Sequence, residues 1–120
     1  MITTIKHAVI PYADQERALK FYTEKLGFTV AVDVTFGDQR WIELKLPESQ
    51  TCVVLHTTND QKEMLGKFSN VIFSCADVKE TTEQLKAKGV EIVEGPVDQE
   101  WGTYSIFKDS EGNMFCLSNT

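Results

Sequence analysis

The chain repeats itself once. Residues 7–30, HAVIPYADQERALKFYTEKLGFTV, align with residues 70–93, NVIFSCADVKETTEQLKAKGVEIV. Ala13 and Asp14 meet Ala76 and Asp77, and Lys25 meets Lys88, all at one offset. Gly27 then meets Gly89 at an offset shorter by one. At that new offset Pro47 meets Asp109, Val54 meets Cys116, Leu55 meets Leu117 and His56 meets Ser118. An ordered series of matches at steady spacing marks a duplicated structural unit. Whatever one half of this chain folds into, the other half must fold into as well.

Each half reads as a strand, a helix and three further strands. IKHAVIPY alternates, with His7, Val9 and Pro11 on one face and Ala8, Ile10 and Tyr12 on the other. Asp14 is placed to cap a helix, with Glu16 in the first turn where the helix dipole favours an acid. Ala18, Leu19, Tyr22 and Leu26 form its apolar stripe, and Gly27 ends it. In the second half Asp77 and Glu80 have capping-box spacing, Val78, Thr81 and Leu85 make the buried stripe, and Gly89 is the stop. The strands expected after the helices are FTVAVDVTF, RWIELKL and TCVVLHT, then VEIVEG, GTYSIFK and NMFCLSN. GDQ, PESQ and DSEGN carry turn residues between them. The polar stretch 57–70 joins the halves.

One βαβββ unit cannot bury its sheet face alone. Two can curl their sheets into a cup, and a concave sheet is a natural pocket for a small molecule. The expected class is α+β. With 120 residues the chain has the length of one domain, divided here as unit one at 1–59, a linker at 60–67 and unit two at 68–120. Its 42% hydrophobic content is enough for a core. The net charge of -6 opposes binding to nucleic acid or an anionic membrane surface. No apolar run approaches the roughly 20 residues of a membrane span, and the first residues lack a signal-peptide layout. Cys52, Cys75 and Cys116 are odd in number and have no Cys-x-x-Cys spacing, which points to reduced thiols in the cytoplasm.

The tandem βαβββ units, FYTEKLGF at 21–28 and FKDSEGNMFCL at 107–117 together resemble the vicinal-oxygen-chelate superfamily. That group includes glyoxalase I, extradiol dioxygenases, and bleomycin- and fosfomycin-resistance proteins. The resemblance covers essentially the whole chain and implies a divalent metal at the floor of the cup. Its ligands come from the first and last strand of each unit, which here places His7, Val54, Asn70 and Cys116. The internal repeat pairs the same positions. The family's metal enzymes typically carry histidine at the first and third places and glutamate at the fourth. This chain keeps only His7. Val54 cannot ligate, Asn70 offers a neutral amide oxygen, and Cys116 offers soft sulfur that suits zinc or copper.

The resulting expectation is a cup that binds a small organic molecule, with a degenerate metal site and no cofactor. His7, Trp41, Val54, His56, Asn70, Trp101 and Cys116 are its candidate contacts. No catalytic residue is assigned. The alternative is a metal-dependent lyase, isomerase or dioxygenase with a nonstandard ligand set around His7. A His7–His56–Glu43 group is one such set, and Cys116 is a nucleophile only if its pKa is lowered. Arg40 and Lys45 read as solvated charges or anchors for an anionic group. Phe36, Phe107 and Phe115 read as core. The resemblance also implies pairing of two chains as a homodimer, and a third reading is an interaction module without a ligand.

Overall fold

The computed structural model describes residues 1–120. It contains two compact units, Met1–Leu65 and Gly66–Thr120. Each unit is built around one four-stranded mixed sheet.

In unit one the strands are β1 (His7–Ile10), β2 (Thr29–Phe36), β3 (Gln39–Lys45) and β4 (Cys52–Leu55), in the sheet order β1-β4-β3-β2. β1 runs parallel to β4, and the other pairs are antiparallel. Helix α1 (Gln15–Lys20) starts at Asp14, whose side chain accepts from the Arg17 amide at 3.0 Å. The helix does not simply run on to Gly27. It widens into a π turn over Phe21–Lys25, and Gly27 leaves it with φ +76°, a left-handed value that favours glycine. The widened turn buries Phe21 and Tyr22 together, their rings edge to face at 5.2 Å.

The pleat sorts the side chains of this sheet. Ile10, Ile42, Leu44, Val53 and Leu55 face α1 and pack with Ala18, Tyr22 and Phe28, all nearly without exposure. Burying each such aliphatic side chain stabilises the fold by roughly 1.5–3 kcal/mol. Gln15 fastens the helix start to this layer by donating to the carbonyls of Arg40 at 2.7 Å and Leu55 at 3.0 Å. Short helix α2 (Asn59–Lys62) follows β4, and a reciprocal Thr58–Gln61 capping box starts it.

Unit two repeats the plan with β5 (Phe68–Ser74), α3 (Val78–Ala87), β6 (Ile92–Gln99), β7 (Gly102–Lys108) and β8 (Met114–Ser118), in the order β5-β8-β7-β6. Asp77 caps α3 by accepting from the Glu80 amide at 3.1 Å. Val78 and Leu85 are buried as the stripe requires, but the third buried position is Thr82, not Thr81. Thr82 meets the buried Ser105 hydroxyl at 2.7 Å, which satisfies a polar pair inside the helix–sheet layer. Phe73, Phe107 and Phe115 form a ring cluster beside it.

The expected turn at 109–113 is present and is buried. Asp109 accepts from the amides of Glu111 at 2.8 Å and Asn113 at 2.9 Å, and from the Asn113 side-chain amide at 2.9 Å. Asn113 in turn accepts from the Gly66 amide at 2.9 Å, which ties the start of the unit to the turn. Phe36 departs from expectation. It sits at the end of edge strand β2 and is 69% exposed, because the strand pleat turns it away from α1.

Candidate functional site

The second face of the unit-one sheet carries the chemistry. The register pairs Val34 with Trp41, Val32 with Glu43, Glu43 with Val54, Val9 with Val54 and His7 with Cys52. Residues paired directly across strands point to the same side. His7, Val9, Val32, Val34, Trp41, Glu43, Val54 and His56 therefore share one face. Four of them touch. The Trp41 indole N–H donates to Glu43 Oε2 at 2.8 Å. The Trp41 ring meets the His7 ring edge-on at 5.8 Å and the His56 ring at 5.1 Å. His7 Nε2 lies 3.2 Å from Glu43 Oε1.

That last contact is close but lacks hydrogen-bond geometry. His7 Nε2 is buried and lacks a hydrogen-bonding partner, so the ring nitrogen is near the carboxylate but out of line with it. The Trp41 indole holds the Glu43 carboxyl below its ordinary range, against the opposing effect of burial; His7 adds to the lowering and Lys6 contributes at longer range. Glu43 is therefore a fixed anion at neutral pH, about one-fifth exposed. Arg40 points to the other side of β3. It is bound in line by Asp33 at 2.7 Å and by Glu16 at 2.7 Å, so its charge is already paired near the surface. Its guanidinium holds Asp33 below the usual carboxylate range.

The four places that the resemblance assigns to a metal fit one poorly. His7 supplies an imidazole. Val54 is a hydrocarbon and is wholly buried. In unit two Asn70 is exposed on edge strand β5. Cys116 pairs with Ile72 and Ile106, and burial pushes its thiol pKa up, opposite to what a nucleophile or a thiolate ligand requires. The His7–Glu43–His56 group does not assemble as a ligand set. No three His, Cys, Asp or Glu side chains gather closely enough to hold an ion. The three cysteines are free and half-buried.

Trp101 stands at the β6–β7 turn, 54% exposed, and stacks on Tyr104 at 5.8 Å with 18° between the planes. Tyr104 occupies in unit two the position that Trp41 occupies in unit one, two residues before the partner of the last strand's central residue. Sequence reasoning passed over Tyr104 and gave Glu43 only a ligand's role. The signal for Glu43 was its i, i+2 spacing from Trp41 on a strand, which puts both on one face.

The two duplicated sheets define a known class. A family model described as Glyoxalase/Bleomycin resistance protein/Dioxygenase superfamily matches residues 4–117, and the chain belongs to that superfamily. Among curated proteins, YetH of Bacillus subtilis (strain 168) is 35% identical over 118 residues, covering 98% of each chain. A superfamily member from Sphaerobacter thermophilus DSM 20745 has a crystal structure that superposes with a TM-score of 0.90 at 28% identity, covering 99% of this chain and 98% of that one. TnmS3, described as an antibiotic binding protein from Streptomyces sp. CB03234, superposes with a TM-score of 0.85 at 25% identity, covering 98% and 96%.

Proposed function

We propose that this chain binds a small organic molecule, as a single functional domain, with the Trp41–Glu43 face of unit one as the centre of recognition and no metal taking part. The observation that carries the reading is the donor set. One imidazole stands among groups that ligate poorly or not at all, while the same face offers an indole, two imidazole rings and a fixed carboxylate. Flat rings supply apolar contact, and a few placed polar groups fix orientation, which is how small-molecule sites are commonly built. Val54 lies on this face between Val9 and Glu43. Asn70, Trp101 and Cys116 are the contacts proposed for unit two. The similarity to TnmS3 supports an antibiotic as the ligand class.

The test is a thermal-shift and calorimetry screen of bleomycin and polycyclic aromatic antibiotics, run beside elemental analysis. A saturable rise in Tm by at least one compound, with metal far below one ion per chain, is the expected result. A stoichiometric divalent ion that is lost in His7→Ala contradicts it.

One observation favours a second reading. The buried, unpartnered Nε2 of His7 beside Glu43 is an available lone pair or proton, as a lyase, isomerase or dioxygenase built around His7 requires. The same elemental analysis separates the two readings. We also propose a cytoplasmic homodimer. Val9 on edge strand β1, and Phe68 and Ile72 on edge strand β5, are exposed apolar side chains that a partner would cover. Sedimentation at twice the 13.6 kDa chain mass is the expected result. No helix is long and apolar enough to cross a membrane.

A further inference from the structure

Glu43 has one oxygen engaged and one open. Oε2 accepts the Trp41 indole proton at 2.8 Å. Oε1 has only the misaligned His7 nitrogen, at 3.2 Å. Within unit one, Arg40 is turned to the opposite side of β3 and bound by Asp33 and Glu16, and Lys45, on the same face as Glu43, makes no ion pair with it. Lys6 acts on Glu43 only through its field and makes no ion pair with it. The carboxylate is thus left facing a surface made of rings and aliphatic groups. Trp41 and His56 lie on one side. Val34, 39% exposed, lies across β2, and the exposed Phe36 lies beyond it on the same face.

A carboxylate only accepts hydrogen bonds, and it bonds most strongly to a charged donor. An indole face is the best aromatic surface for a cation. An anionic group placed here would meet Glu43 with little water between them, and a neutral ring would leave the open oxygen unpaired. We propose that the Trp41–Glu43 pair is a subsite for an organic cation, namely a protonated amine or amidinium carried on a flat apolar ring system. This rests on the reading that the unit-one face is the ligand site, and it goes further by naming the charge and shape that the face selects.

The test uses three isosteric probes at pH 7.5, 2-naphthylmethylammonium, 2-naphthylmethanol and 2-naphthoate. The readout is the indole N–H resonance of Trp41 in 1H–15N NMR spectra. Trp101→Phe serves only to assign the two indole peaks. The ammonium probe is expected to shift the Trp41 peak saturably, with a Kd at least tenfold below that of the alcohol, and the carboxylate probe is expected to leave it in place. In Glu43→Gln, which keeps an acceptor for the indole, the preference for the ammonium over the alcohol falls below about threefold. Well-dispersed spectra for that variant confirm that it is folded. If the alcohol binds as tightly as the ammonium, or Glu43→Gln keeps the full preference, the cation subsite is wrong while ligand binding on this face stands. If none of the three probes moves the Trp41 peak, both fall.

Discussion

Trp41 and Glu43 leave β3 on the same face, and the indole nitrogen donates to the carboxylate at 2.8 Å. This bond holds the Glu43 carboxylate charged to lower pH than an unbonded glutamate. Removing it in Trp41→Phe raises the Glu43 pKa toward its ordinary value of 4.5, which a carbon-detected NMR titration reads directly. The pairing also makes stability depend on pH. A carboxyl whose folded pKa is lowered stabilises the fold above its unfolded pKa, and the gain disappears as the pH falls through the folded value. Wild type should therefore exceed Glu43→Gln by about 1 kcal/mol at neutral pH. The difference should close as the pH falls below 4.5, where protonated Glu43 resembles glutamine. A constant difference in urea unfolding from neutral pH down to that acidic range would contradict this.

Gln15 and Arg40 both connect α1 to the sheet, and they differ in worth. Gln15 donates to two carbonyls, those of Arg40 and Leu55, in a partly buried setting. Gln15→Ala leaves both without that donor and is expected to cost about 1–3 kcal/mol. Arg40→Gln removes ion pairs with Asp33 and Glu16 that lie near solvent, and is expected to cost at most about 1 kcal/mol, less in high salt. Urea unfolding of both variants at low and high salt checks the order.

The 109–113 turn is expected to be among the costliest polar sites to disturb. Asp109 accepts three hydrogen bonds while almost wholly buried. Asp109→Ala strands those donors and is expected to lose about 2–4 kcal/mol. Asn113→Ala frees the Gly66 amide as well. Hydrogen exchange should then quicken at Gly66 and Glu111 before it does at the β7–β8 ladder. Unchanged exchange at Gly66 in Asn113→Ala would sink this account of the turn.

Gly95 lies in β6 with φ +92°, and an added Cβ would come 2.7 Å from the Tyr104 carbonyl oxygen. Both the backbone conformation and the close approach oppose a side chain, and the obstacle is main chain that cannot swing aside. Gly95→Ala is expected to lower stability by about 1–3 kcal/mol. Gly37→Ala, at φ +62° with open space around it, bears only the conformational cost. The comparison of the two Tm values isolates the contact.

Much of the fold was legible because the repeat fixed the element order twice. The caps at Asp14 and Asp77 are where their spacing puts them. What pattern alone missed came from three-dimensional context. Phe36 looked like core by type, but strand alternation and an edge position expose it. Thr82 replaced Thr81 in the buried stripe because Ser105 on a neighbouring strand completes its hydrogen bond, which no helical period reveals. β6 ran on past Gly95 and Pro96 to Gln99 because a bulge in β6 between Glu94 and Val97 absorbs them while β7 pairs on without an insertion. At the candidate site, His7 came from the resemblance, His56 from its spacing to Val54 along a strand, and Trp41 from its residue type; their rings lie against one another. Glu43 was considered only as a third metal ligand, because its bond to Trp41 depends on side-chain geometry that strand phase does not give.

The central claim is that the Trp41–Glu43 face holds an organic ligand without a metal. The most direct measurement is a calorimetric titration of a ligand identified by the antibiotic screen into protein dialysed against excess chelator, repeated with zinc, nickel, manganese or iron(II) restored. The account predicts a Kd that changes by less than about twofold, a free-energy difference of about 0.4 kcal/mol. Binding that vanishes in chelator, returns with one of these metals and is absent in His7→Ala would contradict it.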